Sequence, residues 1–127
     1  MKNAILLVFT LLVSIPGLSQ QKIAEQYKIK GTQKAKEGNY TEAIQLLGKA
    51  ISIYPEYADA YNNRGIVYME MNQYSEAIKD FNQAVTYYSQ DAAYHINRGM
   101  CYEKMKKPDK ALVDFSRAIE LDPFSPE

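Results

Sequence analysis

The stretch Asn63-Arg64-Gly65-Ile66-Val67-Tyr68 returns 34 residues later as Asn97-Arg98-Gly99-Met100-Cys101-Tyr102. The same step links Gly31, Gly65 and Gly99. It also links Ala43, Ala77 and Ala111, then Leu47, Phe81 and Phe115, then Ala50, Ala84 and Ala118. Pro55 and Pro123 lie two steps apart. A period of this length marks a stacked array of supersecondary units. Three units, 24–57, 58–91 and 92–125, fill the chain behind its first residues.

Each unit reads as two helices. In the second unit Tyr61, Gly65 and Tyr68 fall at helical spacing over about 58–71, and Ala77, Phe81, Ala84 and Val85 share one face over about 76–87. Gly38 and Asn72 suit a left-handed helix end. Thr41, Ser75 and Asp109 occupy one repeat position and are expected to cap the second helices. Pro55 and Pro123 end them. Small residues (Gly65, Gly99, Ala43, Ala77, Ala111) face large ones (Tyr68, Phe81, Tyr102, Phe115), as close helix packing requires.

On these residues the chain resembles the tetratricopeptide repeat family. The second unit carries the family pattern in Tyr61, Gly65, Tyr68, Ala77, Phe81 and Ala84. The third carries it in Gly99, Tyr102, Ala111, Phe115, Ala118 and Pro123, with His95 at the first aromatic position. The first carries Tyr27, Gly31, Ala43, Ala50 and Pro55, but has Lys34 for Tyr and Leu47 for an aromatic. The resemblance implies an all-α, right-handed superhelical solenoid of three helix–turn–helix repeats over residues 20–127, its concave face lined by the first helix of each pair. It further implies a protein or peptide partner held in that groove, by Lys28, Asn62, Asn63, Ile66, Met69, Ile96, Asn97 and Met100. The amides can bond a peptide backbone without reading its sequence. The aliphatic side chains either take an apolar side chain or pack between neighbouring first helices. Some family members clamp a C-terminal carboxylate with five residues. Only Lys28 and Asn63 match that set, while Thr32, Ala93 and Asn97 depart from it. Binding of a chaperone tail of that kind is therefore not expected.

Residues 1–19 read as a secretory signal peptide. Lys2 precedes an apolar run over 4–15, Pro16-Gly17 are expected to stop any helix, and Gly17 and Ser19 are small before a cut after Ser19. An uncleaved anchor is the alternative, but twelve residues span about 18 Å against a hydrocarbon core of about 30 Å. The expected location is the periplasm or the outside of a bacterial cell.

The 127 residues carry 15 Lys+Arg and 15 Asp+Glu, a balance that lacks the electrostatic footprint of a general nucleic-acid binder. The charge is uneven: 22–49 holds six Lys against three Glu, and 50–127 holds eight Lys+Arg against twelve Asp+Glu. One Cys and one His leave no disulfide framework and no multi-His or Cys-rich metal site. Cys101 and His95 fall about 240° apart around one helix and cannot form a nucleophile–base pair. Cys101 reads as a buried inert thiol and His95 as a groove-edge or packing residue. No enzymatic activity, cofactor or metal is expected.

The last helix keeps Leu112, Ile119 and Leu121 apolar where an end unit calls for a polar outer face. Leaving three such side chains exposed forgoes about 1.5–3 kcal/mol each. This end is expected to be covered by a second copy or another protein, or else the sequence is a shortened form of a longer one.

Overall fold

The computed structural model describes residues 16–124, without the side chain of Pro16. The described residues form six helices: α1 (Pro16–Lys36), α2 (Tyr40–Ile53), α3 (Ala58–Glu70), α4 (Tyr74–Tyr87), α5 (Ala92–Lys104) and α6 (Pro108–Leu121). They pair as α1/α2, α3/α4 and α5/α6, and the pairs stack through α2 on α3 and α4 on α5. The first helices also touch, α1 to α3 and α3 to α5, making one continuous wall. The arrangement is an all-α, right-handed solenoid of three helix–turn–helix units.

Glycine sets the distance within each pair. A Cβ on Gly65 would lie 2.7 Å from Phe81 Cε1, and one on Gly99 2.7 Å from Phe115 Cε1. In the first unit Leu47 takes the place of the ring, and a Cβ on Gly31 would lie 2.8 Å from its Cγ. Ala43, Ala77 and Ala111 are buried at the same contact. Charge locks the second and third pairs. Arg64 donates from Nε and Nη2 to buried Asp80, both at 2.8 Å, and Arg98 donates to buried Asp114 at 2.7–3.2 Å. A planar guanidinium suits this two-oxygen contact. The first unit has Lys30 and Leu46 in these places, so it has no carboxylate to complete the pair.

The turns inside the pairs share one geometry. Gly38, Asn72 and Lys106 stand 34 residues apart and have φ of 81°, 59° and 58°. The following N–H bonds reach back five residues, Asn39 to Lys34, Gln73 to Tyr68 and Lys107 to Tyr102, at 2.8–2.9 Å. These are Schellman ends, and they satisfy carbonyls that the helix leaves open. Lys106 adopts the left-handed conformation without the glycine or asparagine that usually permits it.

Two local expectations need correction. Thr41, Ser75 and Asp109 do not cap α2, α4 and α6, which begin one residue earlier behind Asn39, Gln73 and Lys107, with no side-chain cap bond. The tight Schellman turn leads straight into the next helix, so the helix starts before the capping residue is reached. Pro16-Gly17, expected to stop a helix, are themselves helical and are the first described residues of α1. Residues 1–15 of the expected leader lie outside the described residues, and the expected cut after Ser19 falls within α1.

Candidate functional site

The wall formed by α1, α3 and α5 carries the expected groove residues, and the structure uses several of them to join one helix to the next. Lys28 Nζ donates to Asp59 Oδ2 at 2.6 Å across α1 and α3. Burial alone would lower the Lys28 ammonium, but the hydrogen bond and charge of Asp59 outweigh it and hold the group above its ordinary value. One turn on, Asn63 Nδ2 donates to Thr32 Oγ1 at 3.0 Å. Between α3 and α5, Asn97 Nδ2 donates to Asn62 Oδ1 at 3.0 Å. Asn62 is only 5% exposed, whereas Asn63 and Asn97 are half-buried, and their bonds to Thr32 and Asn62 use Nδ2, not the amide oxygen. Ile66 and Met69 are half-buried, and Ile96 and Met100 are exposed.

One opening breaks this wall. Between α1 and α3 lies a cleft of about 350 Å³, floored by Thr32, Ala35, Leu47, Ile66 and Val67, with Lys36 and Glu70 also lining it. Its origin is legible in the repeat register. The positions of Thr32, Ala35 and Leu47 in the first unit are those of Ile66, Met69 and Phe81 in the second. There the three larger side chains pack together with Cys101, and Phe81 and Cys101 are fully buried. The seam between the second and third units is thus filled by side chains that the first seam lacks. Thr32 and Ala35 stand at groove positions of the first unit that the resemblance implies, but the sequence did not single them out as partner-binding residues. The signal was present in the first unit's departures from the repeat, Lys34 for Tyr and Leu47 for an aromatic.

The residues weighed for chemistry are occupied elsewhere. Cys101 is buried, and desolvation pushes its thiol up to about 11, so little thiolate forms. His95 is a packing residue, 5% exposed, with its Nε2–H directed to the Ser89 carbonyl at 3.0 Å. Among the described residues no group of three or more His, Cys, Asp or Glu could hold a metal ion. No helix among them is long and apolar enough to cross a membrane. At the far end, Leu112 and Ile119 are 65% and 66% exposed. Leu121 is half-buried.

The fold and the groove define a helical-repeat scaffold. Two family models, both described as tetratricopeptide repeat, match residues 34–99 and 92–125, and the chain belongs to that family. No curated protein matches it closely enough to count as a relative. Among solved structures it is similar to the first repeat domain of Spaghetti (RPAP3) bound to the HSP90 peptide SRMEEVD, with 28% identity, a TM-score of 0.80 and 83% of each chain covered. The second repeat domain of Spaghetti, bound to the same peptide, gives 27% identity and a TM-score of 0.78 over 83% of this chain and 99% of that one. MamA gives 28% identity and a TM-score of 0.76 over 81% of this chain, which spans 60% of MamA.

Proposed function

We propose that this chain is a non-catalytic interaction module that holds an extended peptide or a partner helix along α1, α3 and α5. The cleft between α1 and α3 receives one apolar side chain of that partner, while Asn63 and Asn97 bond its backbone. The cleft is the observation that carries the reading. An open cleft of about 350 Å³ stands at one seam where Ile66, Met69 and Phe81 fill the corresponding place at the other. That two similar structures hold a peptide supports the mode of binding. The peptide class differs from theirs. With Ala93 and Asn97 where a carboxylate clamp needs cations, and Lys28 engaged by Asp59, a C-terminal carboxylate finds no charged grip here. The basic and apolar opening of the sequence supports export to the periplasm or the cell exterior.

The test is to fill the cleft with the side chains that the second unit already uses at the same register, Thr32→Ile with Ala35→Met. Affinity capture from the native envelope fraction would compare this variant with the natural protein and with the Asn62, Asn63 and Asn97 to Ala triple variant. The expected result is a partner lost from the filled variant, whose melting temperature is equal or higher. A partner retained at full strength by both variants would refute the groove. A second reading, favoured by the exposed Leu112 and Ile119, places partner docking at the end of α6. Capture lost only on Leu112→Glu or Ile119→Glu would select it.

A further inference from the structure

The two internal seams are built on one register. At the first, Ala60 sits against Ala24 and Ala50; at the second, Tyr94 sits against Ala58 and Ala84. The third copy of this socket, built on Ala92 and Ala118, stands open. It is a cleft of about 180 Å³ lined by Ala92, Ile96, Phe115, Ala118, Ile119 and Asp122. Beside it Leu112 and Ile119 are exposed, while their counterparts Ile78 and Val85 are half-buried against the third unit. The end of α6 therefore continues, residue for residue, an interface that the chain makes twice within itself.

The opposite end of the solenoid does not match it. The side chains that α3 and α5, with the residue just after each, turn toward the preceding unit are Ala60 and Tyr94, Val67 and Cys101, Met71 and Met105. At the same positions the first unit has Gln26 and Gln33 on α1 and Glu37 just after it, all exposed. A second copy extending the array head to tail would set these polar groups, unpaired, against the apolar face. The face is instead complementary to itself. Leu112 projects from α6, and the cleft opens seven residues along at Ala118 and Ile119, about 10 Å away, with the small Ser116 between. Two α6 helices laid antiparallel about an axis near residues 115–116 each place Leu112 over the other's cleft.

We propose that two copies pair through this face as a two-fold dimer, α6 against α6, with Leu112 of each copy seated among Ile96, Phe115 and Ile119 of the other. This is an isologous contact, one patch meeting itself, and it closes at two subunits. It rests on the end-docking reading and leaves the cleft between α1 and α3 free. The pairing brings Asp109 near the other copy's Asp122, like charges at an exposed rim, so added salt tightens the dimer.

Sedimentation equilibrium of the purified protein tests it. The expected result is a dimer whose dissociation constant rises about tenfold or more on Leu112→Glu, and again on Ile119→Glu. Both side chains are exposed, so both variants keep their helical circular dichroism. Leu112→Cys with Ile119→Cys should give a covalent dimer on mild oxidation, since within one copy these positions are too far apart to bridge. A monomer at all concentrations overturns the dimer. If that monomer loses a captured envelope partner on Leu112→Glu, the end-docking reading survives it. A dimer indifferent to both glutamates overturns the dimer face, and partner capture equally indifferent to them overturns the end-docking reading.

Discussion

Gly65→Ala and Gly48→Ala add the same methyl group to a helix interior, and the structure assigns them opposite signs. Alanine is favoured over glycine in a helix by about 0.8–1 kcal/mol. At Gly48 nothing opposes that gain, because the nearest atom to a new Cβ is Arg64 Nη1 at 3.6 Å, an ordinary contact. At Gly65 the new Cβ would meet Phe81 Cε1 at 2.7 Å, Cδ1 at 2.9 Å and Cζ at 3.1 Å. Carbon atoms settle at about 3.5–4.0 Å, so the ring or the helix must move. Phe81 has no exposed surface and lies against Ala77 and Cys101, which leaves the ring nowhere to go. Overpacking of this kind costs about 1–3 kcal/mol, which cancels or outweighs the propensity gain and leaves a net loss of about 0–2 kcal/mol. The propensity gain is common to both, so the two variants should differ by the overpacking cost, about 1–3 kcal/mol, or roughly 5–20 °C in melting temperature for a domain of this size. Gly99→Ala has the same distances to Phe115, but that ring is only half-buried, so its cost should fall between the two. Thermal and urea unfolding followed by circular dichroism reads all three. Equal melting temperatures for Gly65→Ala and Gly48→Ala would refute the claim that glycine sets the helix separation.

Three further outcomes can be checked on the same samples. Lys106→Gly relieves the left-handed backbone at φ 58° and should stabilise the protein by about 0.5–1 kcal/mol, while Gly38→Ala, at φ 81°, should do the reverse by a similar amount. Arg64→Met strands the Asp80 carboxylate and should cost about 2–3 kcal/mol, discounted because the guanidinium is partly exposed; pairing it with Asp80→Leu should recover most of the loss. The Cys101 thiol, held at about 11 by burial, is thiolate only above that pH; at pH 8 iodoacetamide should label it about a hundredfold more slowly in the native protein than in denaturant.

The fold was legible because packing and period are the same information here. Gly65 facing Phe81 and Gly99 facing Phe115 are contacts 16 residues apart that recur after 34, and both numbers stand in the sequence. The left-handed turns were legible at Gly38 and Asn72, where residue type announces the conformation, and illegible at Lys106, where only register does. The helix starts were misplaced because cap preference was weighed without the turn before it. The groove was legible as a surface and not as a site. Sequence named Lys28, Asn62 and Asn97 for their polarity, and the structure spends much of that polarity on joining α1 to α3 and α3 to α5. Side chains that lie 31–35 residues apart compete with any ligand for each other, and a repeat pattern does not say which wins.

In a molecule built by repetition, a position that obeys the repeat is accounted for by packing. Gly65, Phe81, Ala84 and Tyr68 need no further reason to be what they are. The positions that break the repeat are where another demand has acted. Thr32, Ala35 and Leu47 break it toward small size, and they empty a space that the next unit fills. Gln26, Gln33 and Glu37 break it toward polarity, and they make the exposed face of the first unit polar. Leu112 and Ile119 do the opposite by failing to break it: an end face that stays apolar is an interior face without its neighbour. Two departures and one absence of departure thus mark the three surfaces on which the proposals rest: the cleft, the polar end and the apolar end. A filled cleft, Thr32→Ile with Ala35→Met, should change what the groove holds and leave the association state alone. Leu112→Glu should change the association state and leave the groove alone. If either substitution moved both properties, the two surfaces would be one coupled device, and the division drawn here from repeat register would fail.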